Sequence, residues 1–220
     1  MSAKIIVALK ERIITWRYPP EHRLTEVSLC REFGVSRSPV REALRVLTTN
    51  GFVRRMDNRG YAVRQVKLKE LKELYDVRLA LELFAVEQLA SEGAAGKELA
   101  GMARAWKDLR RRPPRDEGEL AKLDAHFHEE LARMAGNGAL LQQLQAINER
   151  LLIFRMIDFA KPDRVESTCE QHLLVLERIA AGDVQGARQA LRRNIEDGRN
   201  IVGISIKEAL ARSYIGGDES

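Results

Sequence analysis

From Lys67 to the C-terminus the chain offers only one kind of periodicity. Apolar residues recur at helical spacing over approximately 69–92, 95–111, 118–135, 138–160, 164–181 and 183–212. The breaks fall at Gly93, Pro113-Pro114, Gly136-Asn137-Gly138, Lys161-Pro162 and Gly182-Asp183, where a residue tolerates positive φ or lacks an amide hydrogen. Helices without strands can bury their apolar stripes only against one another, so this part is predicted to be an all-helical bundle.

The first 66 residues read differently. Ile5, Leu9, Ile13 and Trp16 mark an amphipathic helix stopped by Tyr18-Pro19-Pro20. A short helix follows over Glu26 to Phe33, with Val27, Leu29, Cys30 and Phe33 available for one buried face. Gly34-Val35 makes a tight turn, and a second helix opens at Ser36 or Ser38, either of which can cap its free amides. Val40, Ala43, Leu44 and Leu47 form its apolar stripe, and Asn50-Gly51 ends it. Phe52 to Met56 and Tyr61 to Arg64 then read as two strands around the turn Asp57-Asn58-Arg59-Gly60. Two short helices and a hairpin make a winged helix-turn-helix. The expected organisation is therefore mainly α: a winged helix-turn-helix at 1–66, a short charged linker near Gln65 to Lys69, and an all-α domain at 67–220.

Charge separates the same two segments. Residues 1–66 hold 13 Lys and Arg against 6 Asp and Glu, whereas residues 67–220 hold 24 against 26. All the excess positive charge sits in the first third, the pattern of a polyanion-binding module joined to a near-neutral partner. No apolar run reaches the length of a membrane span, and no secretory signal opens the chain. Cys30 and Cys169, far apart and in no metal-like spacing, read as reduced thiols of a cytoplasmic protein.

On the second helix of the helix-turn-helix, Arg37, Arg41 and Arg45 share one face opposite the apolar stripe. Such a row of guanidinium groups suits guanine edges and phosphates in a major groove of double-stranded DNA. Ser36 and Ser38 offer hydroxyls and free amides where a phosphate is favoured. Arg59 and Gly60 at the hairpin tip allow close approach to a groove, flanked by Arg54, Arg55 and Arg64.

In the helical part, Asp124 and His128 stand at i and i+4 on one face, and His172 lies on a later helix with Leu176 and Ile179. Asp with two His is a partial ligand set for zinc, nickel or manganese, but the same residues are also compatible with ordinary core and surface positions. Arg78 points inward with Leu74, Leu81 and Ala85, and a buried Arg needs an anion. Its partner is either Glu82 at i+4 or the carboxylate of a bound effector. Glu82, Asn148 and Arg155 are further candidates to line that cavity.

Several of these runs resemble known proteins. Leu24-Thr25-Glu26, then Phe33-Gly34-Val35-Ser36-Arg37-Ser38-Pro39-Val40-Arg41-Glu42-Ala43-Leu44, then Leu47 and Asn50-Gly51-Phe52-Val53 resemble the DNA-binding domain of the GntR family. The resemblance implies that Arg37 and Arg41 read an operator while Ser36, Ser38 and Gly60 contact backbone or groove edges. Pro20-Glu21 departs from the family's usual Pro-Gly, which predicts a reshaped loop before Leu24. Asp124-Ala125-His126-Phe127-His128 with Glu170-Gln171-His172 is similar to the FCD ligand-binding domain of the FadR subfamily. That similarity implies a metal held by Asp124, His128 and His172, with Asn194 standing where a third His is expected. It also implies a small carboxylate effector at Arg78, with Asn194 as a further contact.

Three function classes follow. The first is a one-component transcriptional regulator, a homodimer on a palindromic operator whose binding a small acid adjusts. The second is a metal-dependent hydrolase on Asp124, His128 and His172, which lacks a general base and leaves the basic module idle. The third is a scaffold whose winged helix binds protein. The combined residues favour the regulator.

Overall fold

The structure, a computed structural model, describes residues 1–14, 17–57, 60–64, 68–93, 96–161 and 163–215. Trp16, Arg59 and the linker residues 65–67 singled out above lie outside the described residues. The chain divides into two units: Met1–Leu68 with the segment from Ile204, and Lys69–Gly203.

In the first unit the order is α1 (Ser2–Ile14), β1 (Arg23–Leu24), α2 (Glu26–Phe33), α3 (Arg37–Thr49), β2 (Val53–Met56) and β3 (Gly60–Val63). Ile5, Leu9 and Ile13 bury the inner face of α1, and α1 and α2 both pack on α3. Val40, Ala43, Leu44 and Leu47 are fully enclosed, as their helical spacing requires. Val27 is the correction: it is 56% exposed, and α2 anchors itself mainly through Leu29. The helix is only eight residues long, too short to turn four apolar side chains to one neighbour.

Thr25 caps α2 in a reciprocal box with Ser28, and Gly34 closes it at φ 63°, a left-handed position that spares glycine the Cβ clash. Ser36 occupies the N-cap position of α3, but its side chain makes no capping hydrogen bond, contrary to expectation. The hairpin β2–β3 pairs Val53 with Val63 and Met56 with Gly60. A third strand appears that the sequence does not advertise. Arg23 and Leu24 pair with Ala62 and Tyr61, giving an antiparallel sheet in the order β1-β3-β2.

The second unit is helical: α4 (Leu68–Ser91), α5 (Lys97–Arg111), α6 (Glu117–Met134), α7 (Gly138–Phe159), α8 (Arg164–Ala180) and α9 (Val184–Ile215), whose last part belongs to the first unit. Asp116 and Asn137 cap α6 and α7 by accepting the amides of Glu119 and Leu140. Helix α6 packs on α7 and α5 on α8. Helix α4 buries a broad face on which Arg78 and Glu82 lie among the apolar Leu71, Leu74, Ala85, Val86 and Leu89. Among the described residues no helix is long and apolar enough to cross a membrane.

Candidate functional site

Helix α3 turns its apolar stripe inward and therefore presents Arg37, Arg41 and Arg45 to solvent, with Ser36 and Ser38 exposed at its start. Two of the three guanidinium groups are already engaged. Arg41 Nε donates to Glu26 Oε2 of α2 at 2.8 Å, and Arg45 donates to both oxygens of Glu42 at 3.0 and 3.2 Å. Among the described residues Arg37 has no ion-pair partner. These exposed pairs are worth about 0–1 kcal/mol, little enough to be exchanged for a phosphate or a base edge. Gly60 opens β3 opposite Met56, where an added Cβ would lie 3.5 Å from the Leu24 carbonyl.

Glu21 sits in the same unit at φ 66°, the left-handed region that favours glycine. A glutamate here bears a backbone conformation that a glycine adopts without strain. Its amide donates to the Val63 carbonyl at 3.0 Å, and its carboxylate takes a 2.5 Å bond from Arg54. Glu21 is thus a non-glycine residue in a left-handed conformation, held from both ends.

The second unit encloses a group of charged side chains at its centre. Asp124, His128 and His172 are all buried, and their ligand atoms lie within 4.8 Å of one another. His172 Nε2 is 3.3 Å and His128 Nε2 3.7 Å from the same oxygen, Asp124 Oδ1. Neither Nε2 atom has a hydrogen-bond partner, nor has His172 Nδ1. Two imidazole nitrogens converging on one carboxylate oxygen, all three residues buried, form a donor set that suits a divalent cation. His172 thus belongs to this centre while sharing a helix face with the core residues Leu176 and Ile179.

Three neighbours orient the two imidazole rings. His128 Nδ1–H donates to Glu82 Oε2 at 2.5 Å, which leaves its Nε2 lone pair free to face Asp124. The His172 ring stacks on Phe127 with centroids 3.7 Å apart and meets Trp106 edge-on at 4.2 Å. Neither aromatic contact was evident in the sequence, because each joins residues on different helices.

Charge balance holds the centre in place. Burial alone would raise the Asp124 pKa, but the Arg155 guanidinium and the two histidines outweigh it and keep the carboxyl well below its ordinary range. Arg155 Nη1 lies 3.1 Å from Asp124 Oδ2. Glu82 shows the same contest: burial pushes up, Arg78 and His128 pull down, and the result is about 2. Arg78 Nε donates to Glu82 Oε1 at 2.5 Å, so the i, i+4 partner is the one the fold supplies. His172 is driven the other way, to about 4, chiefly by burial. Asn194, also buried, donates its amide to Gln171 Oε1 at 3.0 Å, and Gln171 in turn donates to Asp197.

Comparisons bear on both units. The family description "Bacterial regulatory proteins, gntR family" fits residues 1–63, and that of the FCD domain fits residues 73–197. The chain is 34% identical to the Nta operon transcriptional regulator of Aminobacter aminovorans over 76% of its own length and 78% of that protein's. The solved structure of Lar from Listeria monocytogenes is similar with a TM-score of 0.65 at 22% identity, covering 92% of this chain and 96% of that one. A Zn2+-bound FCD domain of another regulator gives a TM-score of 0.51 at 21% identity, over 65% of this chain and 96% of that one.

Proposed function

The chain belongs to the GntR family of bacterial transcriptional regulators, with an FCD domain as its second part, and we propose that a small carboxylate metabolite in that domain modulates its grip on an operator. The observation that carries the DNA side is the exposed Arg37, Arg41 and Arg45 row on a helix whose opposite face is wholly buried. Arg37 and Arg41 read bases in the major groove, Arg45 and the Ser36–Ser38 turn meet phosphates, and Gly60 lets the wing approach the backbone. Arg59 belongs to the same wing by sequence.

The protein works as a homodimer on a palindromic site, because one winged helix alone offers a small interface. Val77 and Phe84, half-exposed on α4, support an apolar face for a second copy. In the helical unit Asp124, His128 and His172 hold a divalent metal (zinc, nickel or manganese), and the unpartnered Nε2 atoms support this reading. When bound, the metal supplies a Lewis-acidic point of attachment for a carboxylate, with Arg78 and Asn194 on the effector side. Asn194 adds no imidazole, so the set is three strong donors rather than four.

The test is a DNA-binding titration of the full chain against its operator and a scrambled duplex at several salt concentrations, with and without metal. Steep loss of affinity with salt and a persistent preference for the operator are expected. Equal binding to both duplexes would overturn the regulator mechanism, and sedimentation as a monomer both free and on DNA would overturn the dimer.

A further inference from the structure

Ion pairs engage most cations of the helical unit, with one region excepted. Among the described residues of that unit, Lys97, Arg104, Lys107, Arg112, Arg115 and Lys122 have no ion-pair partner. The first five fall within residues 97–115, which hold 7 Lys and Arg against 2 Asp and Glu. All five are exposed, on α5 or the turn that follows it. A run of solvated charge is ordinary by itself. This one borders an apolar groove.

Helices α5 and α8 pack on each other. Their outer seam holds a cavity of about 630 Å³, lined by Leu99, Ala100 and Ala103 of α5 and by Leu173, Leu176 and Ala180 of α8. Lys97 and Lys107 flank it. A second cavity of about 680 Å³ adjoins it through Lys107 and Leu173 and adds Arg110 and Arg111. Together they follow most of the 15-residue α5, a length of about 20 Å. The two walls differ in charge. On α8, Glu166 and Glu170 are both engaged by Arg110, at 2.9 and 2.7 Å, and Glu177 has no ion-pair partner among the described residues. The groove is therefore apolar along its floor and cationic on the α5 side.

These features select among occupants. A nucleic-acid backbone would answer the cations but leave the apolar floor uncovered. A second copy docked by two-fold symmetry would set one net positive face against another, because residues 163–180 contribute only 2 basic and 4 acidic side chains. An amphipathic helix with an apolar edge and carboxylates beside it answers both demands, its edge in the seam and its carboxylates toward α5.

We propose that the α5–α8 groove is the docking site for an acidic amphipathic helix of a partner protein. None of the residues assigned to DNA, metal or effector lines it.

The experiment titrates the full chain into a labelled peptide of leucine and glutamate, about 14 residues long to match the groove, with leucines at helical spacing along one edge. Fluorescence anisotropy should show saturable binding that weakens with salt. A scrambled peptide of the same composition, and one with lysine for glutamate, should each bind on the order of tenfold or more weaker. Ala103→Glu puts a charge in the apolar floor, and Lys107→Glu with Arg111→Glu reverses the cationic wall. Each should lower affinity on the order of tenfold or more, with circular dichroism and operator binding as in the wild type. Ala100→Glu, at an exposed position, serves if Ala103→Glu fails to fold. Equal affinity for the scrambled peptide, unchanged affinity in the variants, or no saturation up to about 1 mM would overturn the proposal. A random-sequence duplex that displaces the peptide, and loses that ability with Lys107→Glu and Arg111→Glu, would assign the face to nucleic acid and overturn it. Self-association abolished by Ala103→Glu would assign the face to a second copy and overturn it as well.

Discussion

Arg41→Ala separates the two jobs that α3 performs. In the free protein Arg41 is 62% exposed and pairs with Glu26, itself 27% exposed, so the pair is largely solvated. Its loss should lower folding stability by less than about 1 kcal/mol. No packing is lost, because the helix is held by Val40, Ala43, Leu44 and Leu47 on the opposite face. On DNA the same guanidinium should make a bidentate contact to a guanine edge, which is worth about 1–3 kcal/mol per half-site. That is a fall of roughly 5- to 150-fold in operator affinity for each half-site, with one base position blurred. Fluorescence anisotropy against operator and substituted duplexes measures both quantities, and chemical denaturation measures stability. Arg64→Ala is the control: a phosphate contact should weaken every sequence alike and reduce the salt slope by about one. If Arg41→Ala kept full operator preference, or if the stability loss accounted for the affinity loss, the assignment of α3 to the groove would be refuted.

Further expectations concern the buried centre and the strained loop. His128→Ala should abolish the stabilisation that added metal confers on the wild type, about 2.7 kcal/mol at a hundredfold excess over Kd, as thermal melts with and without metal would show; Asn194→His should enlarge it. Burial pushes the Asp158 carboxyl up to about 6 despite its 2.8 Å bond from Arg164. A folded value above the unfolded 3.8 means that the native state favours the proton, so the wild type should lose about 2–3 kcal/mol relative to Asp158→Asn between pH 4 and pH 7. Denaturant titrations at both pH values check the slope; a constant difference would sink it. Glu21→Gly should be more stable than Glu21→Ala by about 1 kcal/mol, since only glycine relieves the left-handed backbone while both lose the Arg54 bond.

Helices were legible here because their signals are local. The stripe of α3, the ends of α4 through α8 and the Asp124–His128 and Arg78–Glu82 spacings all lie within one helix, where i, i+4 geometry decides who meets whom. The two-residue strand β1 was not, because Arg23-Leu24 is too short to show alternation and exists only through its pairing with β3. Val27 misled for a similar reason: its hydrophobicity is real, but the exposure of a short helix depends on what its neighbours leave uncovered.

The buried centre shows where local reading stops. Four contacts build it, and each joins two helices: Glu82 to His128, Asp124 to Arg155, Asp124 to His172, and Phe127 to His172. Residues that far apart in sequence meet only because α6 packs against α4, α7 and α8 at once, and nothing in the residue types of one chain specifies that packing. Yet their chemistry constrains it in retrospect. An Arg, a Glu and an Asp without partners could not all be enclosed, so a fold that buries them must bring them together. The same reasoning makes Arg155 the informative residue: its charge is placed where the side chains alone leave two donors unanswered. A centre so composed is stable as a closed set of ion pairs without metal, and with a divalent cation it acquires a demand for anionic ligand.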